Sequence, residues 1–168
     1  MLDQMKLIRL IILILAWSSA FSREAESCAR VLECVDAELA CSGVLKSTGG
    51  FVYVDVEDAY VHRLISLIQE EGFVEPPYFG SGLVGAHISV IYPDEMNQRE
   101  IEECDKMIQF TPITCEIVHP LKWNGIDEVY FIVVEAPELD QVREKYGLPK
   151  REYAFHITIG IKPRPTLQ

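Results

Sequence analysis

The sequence predicts an α+β fold: two pseudo-symmetric lobes of antiparallel or mixed sheet, helices on their outer faces, and a central cleft between them. Three observations predict it. The chain has 168 residues, of which 49% are hydrophobic and 24% charged, a length and composition that suit one globular domain with a single core. Residues 51–92 and 128–161 share one plan of strand, helix, strand. Each of these units opens on a Val-Tyr strand, Val52-Tyr53 or Val129-Tyr130, and closes on a strand that carries a histidine, His87 or His156. Side-chain similarity between the units is thin, so the repeat is one of architecture.

The elements follow in order. Lys6 and Arg9 precede the apolar stretch Leu10 to Trp17, and the small residues Ser18-Ser19-Ala20 come next. This is the layout of a signal peptide over residues 1–20, cleaved after Ala20. The apolar run is short for a membrane span, with an uncleaved N-terminal anchor as the competing reading. A secreted or periplasmic protein is expected, with no stable membrane association after cleavage. Residues 21–48 read as an N-terminal helical extension, because Cys28, Val31, Leu32, Val35 and Leu39 recur at helical spacing over 23–42 and Gly43 suits the stop.

Residues 49–168 read as the single bilobal domain. Phe51 to Val56 is β-branched and aromatic, hence a strand. Val61, Leu64, Ile65 and Ile68 make one apolar face of a helix over 58–71, ended by Gly72. A Pro/Gly-rich loop over 75–85 leads to a strand at 86–92. Pro93-Asp94 opens a second expected helix with Ile101, Cys104 and Ile108 on one side. A strand over 112–119, the turn signal Asn124-Gly125, and a strand over 128–134 follow. Pro137 to Tyr146 reads as a helix with Leu139, Val142 and Tyr146 inward. The last strand covers 154–161, and 162–168 read as a frayed tail.

Charge and cysteines narrow the classes of function. Lys plus Arg number 15 against 26 Asp plus Glu, a net charge of −11. Loss of residues 1–20 takes away Asp3, Lys6 and Arg9 and leaves −12. Extended binding to a nucleic-acid backbone is therefore not expected, since that grip is made of surplus Lys and Arg. Cys28, Cys34, Cys41, Cys104 and Cys115 are odd in number and lack metal-motif spacing. On a common helix Cys34 and Cys41 stand about 10 Å apart along the axis, too far to bridge. Any disulfide would cross to another element, such as Cys104 or Cys115; burial as small hydrophobes is the other reading.

The chemistry resides in the two histidine strands, Ala86-His87-Ile88-Ser89-Val90 and Phe155-His156-Ile157-Thr158-Ile159. Side chains alternate along a strand, so His87 shares a face with Ser89 and His156 with Thr158, while the isoleucines and Val90 point to the core. The other two histidines serve as controls: His62 and His119 are followed at the same spacing by Leu64 and Leu121. Hydrolysis by general acid–base catalysis needs one group to take a proton from water and another to protonate the leaving group. Histidine supplies both forms near neutral pH. Two facing lobes would put them on opposite sides of a reacting atom, with the hydroxyls of Ser89 and Thr158 able to donate to oxygens on it. No metal or other cofactor is required; His87 and His156 lack a third ligand at suitable spacing.

These two H-x-[ST]-x motifs, in matching strand settings 69 residues apart, resemble the 2H phosphoesterase superfamily, which includes RNA 2′,3′-cyclic phosphodiesterases and RNA ligase relatives. The resemblance covers roughly residues 50–162, and the Gly-Ala-His-Ile-Ser-Val form resembles the swiss-army-knife group. It implies catalytic roles for His87 and His156 and substrate contacts for Ser89 and Thr158. Ser89 stands where Thr is usual, and 23–48 has no counterpart. The implied activity is metal-independent hydrolysis of a 2′,3′-cyclic phosphate or small cyclic nucleotide, with a small nucleotide or an RNA end as partner. Tyr92, Tyr153 and Trp123 are candidates for stacking on a base, and Lys122, Lys150 and Arg151 are the nearest cations. The competing readings are a secreted nucleotide-binding module with the same cleft and no turnover, and an α+β domain whose histidines only satisfy core hydrogen bonds.

Overall fold

The computed structural model describes residues 23–96, 101–102, 104–121 and 123–165. The expected signal peptide at 1–20 and Lys122 lie outside the described residues. Helix α1 covers 23–38. It is followed by β1 (Ser42–Thr48), β2 (Phe51–Asp55), α2 (Ala59–His62), a 3₁₀ turn (Leu64–Leu67) and β3 (His87–Ile91). Then come β4 (Met107–Gln109), β5 (Thr111–Val118), β6 (Ile126–Glu135), α3 (Pro137–Lys145) and β7 (Phe155–Pro163). The strands form one seven-stranded sheet in the order β4-β1-β2-β3-β7-β6-β5, and each neighbouring pair is antiparallel. The two repeat units supply its middle: β2 lies beside β3, and β6 beside β7. The lobes meet at β3 and β7. No helix among the described residues is long and apolar enough to cross a membrane.

One face of the sheet carries the core. Val54 of β2, Ile88 and Val90 of β3, Ile132 of β6 and Ile157 of β7 are buried with Val31 and Val35 of α1, Tyr60 and Val61 of α2, and Leu139 of α3. Each such aliphatic side chain contributes about 1.5–3 kcal/mol on burial. The helices thus cover one side, and the opposite face is left for chemistry.

Four expectations are corrected. The extension over 21–48 is helical over 23–38, and its last seven residues are β1 (Ser42–Thr48). Register explains this: β1 pairs with β2 from Val44↔Asp55 to Thr48↔Phe51, through a two-residue turn at Gly49 and Gly50 with φ of 57° and 80°. Such a turn needs left-handed φ at both positions, which glycine adopts freely. The helix expected over 58–71 is reduced to α2 and the 3₁₀ turn, and Ile68 is already extended (φ −72°, ψ 118°). Its apolar spacing is real, since Ile65 and Ile68 pack with Phe73 over Gly160, but that packing needs no regular helix. The helix expected after Pro93-Asp94 is absent among the described residues. Ile108 belongs instead to β4, opposite Gly43 of β1. The chain's tail is ordered further than expected, because β7 runs to Pro163 along β6.

Candidate active site

The site is set by the register of the two central strands. Ile88 pairs with Ile157 in an antiparallel bridge. Stepping one residue outward each way puts His87 opposite Thr158 and Ser89 opposite His156, with all four on the face away from the core. Standard spacings, about 3.3 Å per residue and about 5 Å across an antiparallel pair, then make the His87–His156 diagonal about 8 Å between Cα atoms. An approximate two-fold axis passes between the two isoleucines.

A second symmetry reinforces the first. On β3, Ser89 and Ile91 face the consecutive residues Tyr53 and Val52, so Val90 is an extra residue. On β7, Thr158 and Gly160 face Phe131 and Tyr130, so Ile159 is extra. Each lobe therefore has a bulge directly after its hydroxyl residue. A bulge re-aims the side chains beyond it. Here it confines the open face to one histidine and one hydroxyl per strand and returns Ile91 to the core, fully buried.

The imidazoles are held identically. His87 Nδ1 lies 2.8 Å from the Gly85 carbonyl oxygen, and His156 Nδ1 lies 3.0 Å from that of Ala154. A carbonyl only accepts, so each Nδ1 carries the proton and donates it. Nε2 is then the working nitrogen on both rings: a base when the ring is neutral, an acid when it is charged. Gly85 has φ +69°. Asp58 Oδ1 accepts the Ala86 amide at 2.9 Å, and its carboxylate occupies the space a Cβ at Gly85 would need. The loop that orients His87 thus requires glycine.

Both rings are half-buried, and burial lowers both pKa values by disfavouring the charged form. For His87 the Gly85 hydrogen bond and the Asp55 charge oppose that effect without cancelling it. For His156 the Ala154 hydrogen bond opposes it, while the positive charges of Arg151 and of His87 itself add to it.

Residues that sequence reasoning missed complete the site. Tyr78, from the 75–85 loop, sets its ring edge-on to His87 at 5.1 Å between centroids, and burial pushes its hydroxyl pKa up, an effect opposed by the nearby Thr158. Its ring thereby joins the first motif's histidine to the loop. Tyr53 and Phe51 also meet His87 edge-on, at 6.0 and 5.6 Å, and Phe131 lies 4.4 Å from His156. Lys46 pairs with Asp55, which stands opposite His87 on the neighbouring strand. A plain β2 pattern of alternating aromatics was the one available signal. The Lys46–Asp55 pair depends on the unforeseen β1.

The other named residues fall at different places. Tyr92 is brought to the His87 side: it stacks on Phe51 at 6.0 Å, and Arg151 lies over its ring at 5.3 Å. Arg151 also donates to the Ser89 carbonyl at 2.6 Å, so it ties the loop before β7 to β3. Tyr153 is 71% exposed and lines an open groove of about 600 Å³ with Ile113, Val133, Asp140, Lys150 and Arg151. Trp123 is not brought to the pair. It precedes the end of β6 where Ile126 meets Pro163, whereas Val133 meets His156. That is seven residues along β7, about 23 Å at strand rise. His62 bonds Glu75 at 2.9 Å, and His119 donates to the Asp127 carbonyl at 3.2 Å; both are committed elsewhere.

The family model described as Swiss Army Knife, 2H phosphoesterase domain, matches residues 52–166. No curated protein and no solved structure matches the chain. The matched segment contains both histidine strands and leaves out α1 and β1. The match spans more than half of the chain, and the chain belongs to the Swiss Army Knife family of 2H phosphoesterase domains.

Proposed function

We propose that this phosphoesterase domain hydrolyses a 2′,3′-cyclic phosphate or a small cyclic nucleotide, with His87 and His156 as general base and general acid. The observation that carries the reading is the matched pair of Nδ1–H···O=C bonds, which leaves Nε2 of each ring unengaged by its own loop. In the proposed cycle, the neutral imidazole takes a proton from water as its oxygen attacks phosphorus. The charged imidazole gives its Nε2 proton to the departing ribose oxygen, and a phosphomonoester results. The Ser89 and Thr158 hydroxyls donate to the non-bridging oxygens, where charge is held during reaction. Aromatic Tyr92 and Tyr153 are proposed substrate contacts at the two sides; Trp123 would reach only a long substrate. Both lowered pKa values place the optimum for kcat/KM on the acid side of the ordinary histidine range. We propose in addition that the protein is exported, on the strength of the sequence at 1–20.

The test is turnover of 2′,3′-cyclic AMP in EDTA by the purified protein. Activity that survives chelation is expected, and His87→Ala and His156→Ala should each lower kcat about 100-fold or more, while His62→Ala leaves it intact. Tight nucleotide binding with no turnover would favour a binding module instead, and equal losses in all three variants would reject the site.

A further inference from the structure

We propose that Cys28 of α1 and Cys115 of β5 form a disulfide-competent pair that staples the N-terminal helix to the edge strand of the sheet. The contacts are reciprocal. The Cys115 amide donates to Cys28 Sγ at 3.1 Å, and the Cys115 thiol donates to the Cys28 carbonyl at 3.8 Å. Each sulfur therefore already lies against the other residue, and forming an S–S bond of about 2.05 Å asks for side-chain rotation, not backbone travel. The remaining cysteines are engaged elsewhere. Cys41 Sγ accepts from the Tyr60 hydroxyl at 4.0 Å, the Cys104 thiol donates to the Ile101 carbonyl at 3.7 Å, and Cys34 packs against the core.

The placement gives the bond a purpose. Helix α1 lies outside the matched segment 52–166, yet its Val31 and Val35 are in the core. Its first turns are the start of the described chain, and β5 is the last strand of the sheet. A cross-link there closes a loop of nearly ninety residues and holds both ends of the fold together, which restricts the unfolded chain strongly. All five cysteines are thiols in the structure, so the bond requires an oxidant, taken here as a small-molecule disulfide.

In the first step the Cys28 thiolate attacks one sulfur of oxidised glutathione, and one glutathione thiolate leaves. Burial pushes the Cys115 thiol up in pKa, which makes Cys28 the entry point. Cys115 then loses its proton to solvent, attacks Cys28 Sγ and expels the second glutathione. Two protein thiols are oxidised, one small disulfide is reduced to two thiols, and those thiols take up the two protons.

The experiment treats the folded full chain with oxidised glutathione, then denatures it, alkylates free thiols and maps the peptides by mass. The expected result is alkylation at Cys34, Cys41 and Cys104 only, with one cross-linked peptide joining 28 to 115. Cys104→Ser should keep that peptide and Cys28→Ser should abolish it. Comparison of oxidised and dithiothreitol-reduced wild-type protein should show a thermal midpoint higher by about 5–15 °C in the oxidised form. Five alkylated cysteines, glutathione left as mixed disulfides on both residues, or a linkage through Cys34, Cys41 or Cys104 would overturn the proposal. None of these outcomes depends on the phosphoesterase reading.

Discussion

Gly85→Ala isolates the loop that aims His87. The residue sits at φ +69°, where a side chain costs about 1–2 kcal/mol in backbone strain. Its new Cβ would also collide with the Asp58 carboxylate, whose Cγ lies 3.3 Å away. Relieving the collision breaks the bond from the Ala86 amide to Asp58 Oδ1; a partly exposed charged hydrogen bond of this kind is worth about 1–2 kcal/mol. The total expected loss is about 2–4 kcal/mol, read from urea unfolding at fixed m-value. In an Asp58→Ala background only the strain remains, so the same glycine substitution should cost about 1–2 kcal/mol. The double-mutant cycle should therefore show coupling of about 1–2 kcal/mol. Because the Gly85 carbonyl also holds the His87 Nδ1 proton, kcat on a cyclic nucleotide should fall about ten-fold or more while KM changes little. Additive costs in the two backgrounds, or an unchanged kcat, would refute the reasoning.

Other perturbations probe separate parts of the account. Tyr78→Phe removes a buried hydroxyl near Thr158 but keeps the ring on His87, and steady-state kinetics should show kcat down roughly three- to ten-fold. Arg143 is 3% exposed and grips Glu95 through two nitrogens while donating to the Val90 carbonyl at 2.7 Å. Arg143→Met strands the Glu95 carboxylate and should cost about 3 kcal/mol or more in urea unfolding. The lowered pKa values of His87 and His156 mean that the unfolded chain binds more protons than the folded one just below about pH 6.5. Stability should accordingly be full above that pH and decline as pH falls through the window. Replacing both histidines by Gln should flatten that part of the curve.

The parts of the fold that could be read in advance are those whose local pattern agrees with their tertiary setting. Strands β3 and β7 alternate polar and apolar residues, and the structure keeps that alternation up to the bulges at Val90 and Ile159. Helix α3 begins at Pro137 and carries Leu139 and Val142 inward, as its periodicity says. The hidden parts are those where pairing overrides local preference. Strand β1, with Ser42, Gly43, Lys46 and Ser47, has little strand propensity, and it exists because β2 and β4 flank it. Ile101, Cys104 and Ile108 mimic a helical face, yet Ile108 is buried as a strand residue. The same division applies at the site. His87, Ser89, His156 and Thr158 are legible because two strands repeat one pattern. Tyr78 is not, because it lies in an aperiodic Pro/Gly-rich loop and reaches the site only after the chain has folded back. The Lys46–Asp55 pair is a product of cross-strand register, which no local spacing encodes.

Convergence of the two imidazoles on one phosphate is best tested by long-range ¹H–¹⁵N NMR of the histidine side chains during titration with a nucleoside monophosphate. The account predicts Nδ1–H tautomers for His87 and His156 in the free protein, joint movement of both Nε2 resonances on binding, and a joint upward shift of their pKa values, with His62 and His119 unmoved. Movement of one ring alone, or of neither, would contradict it.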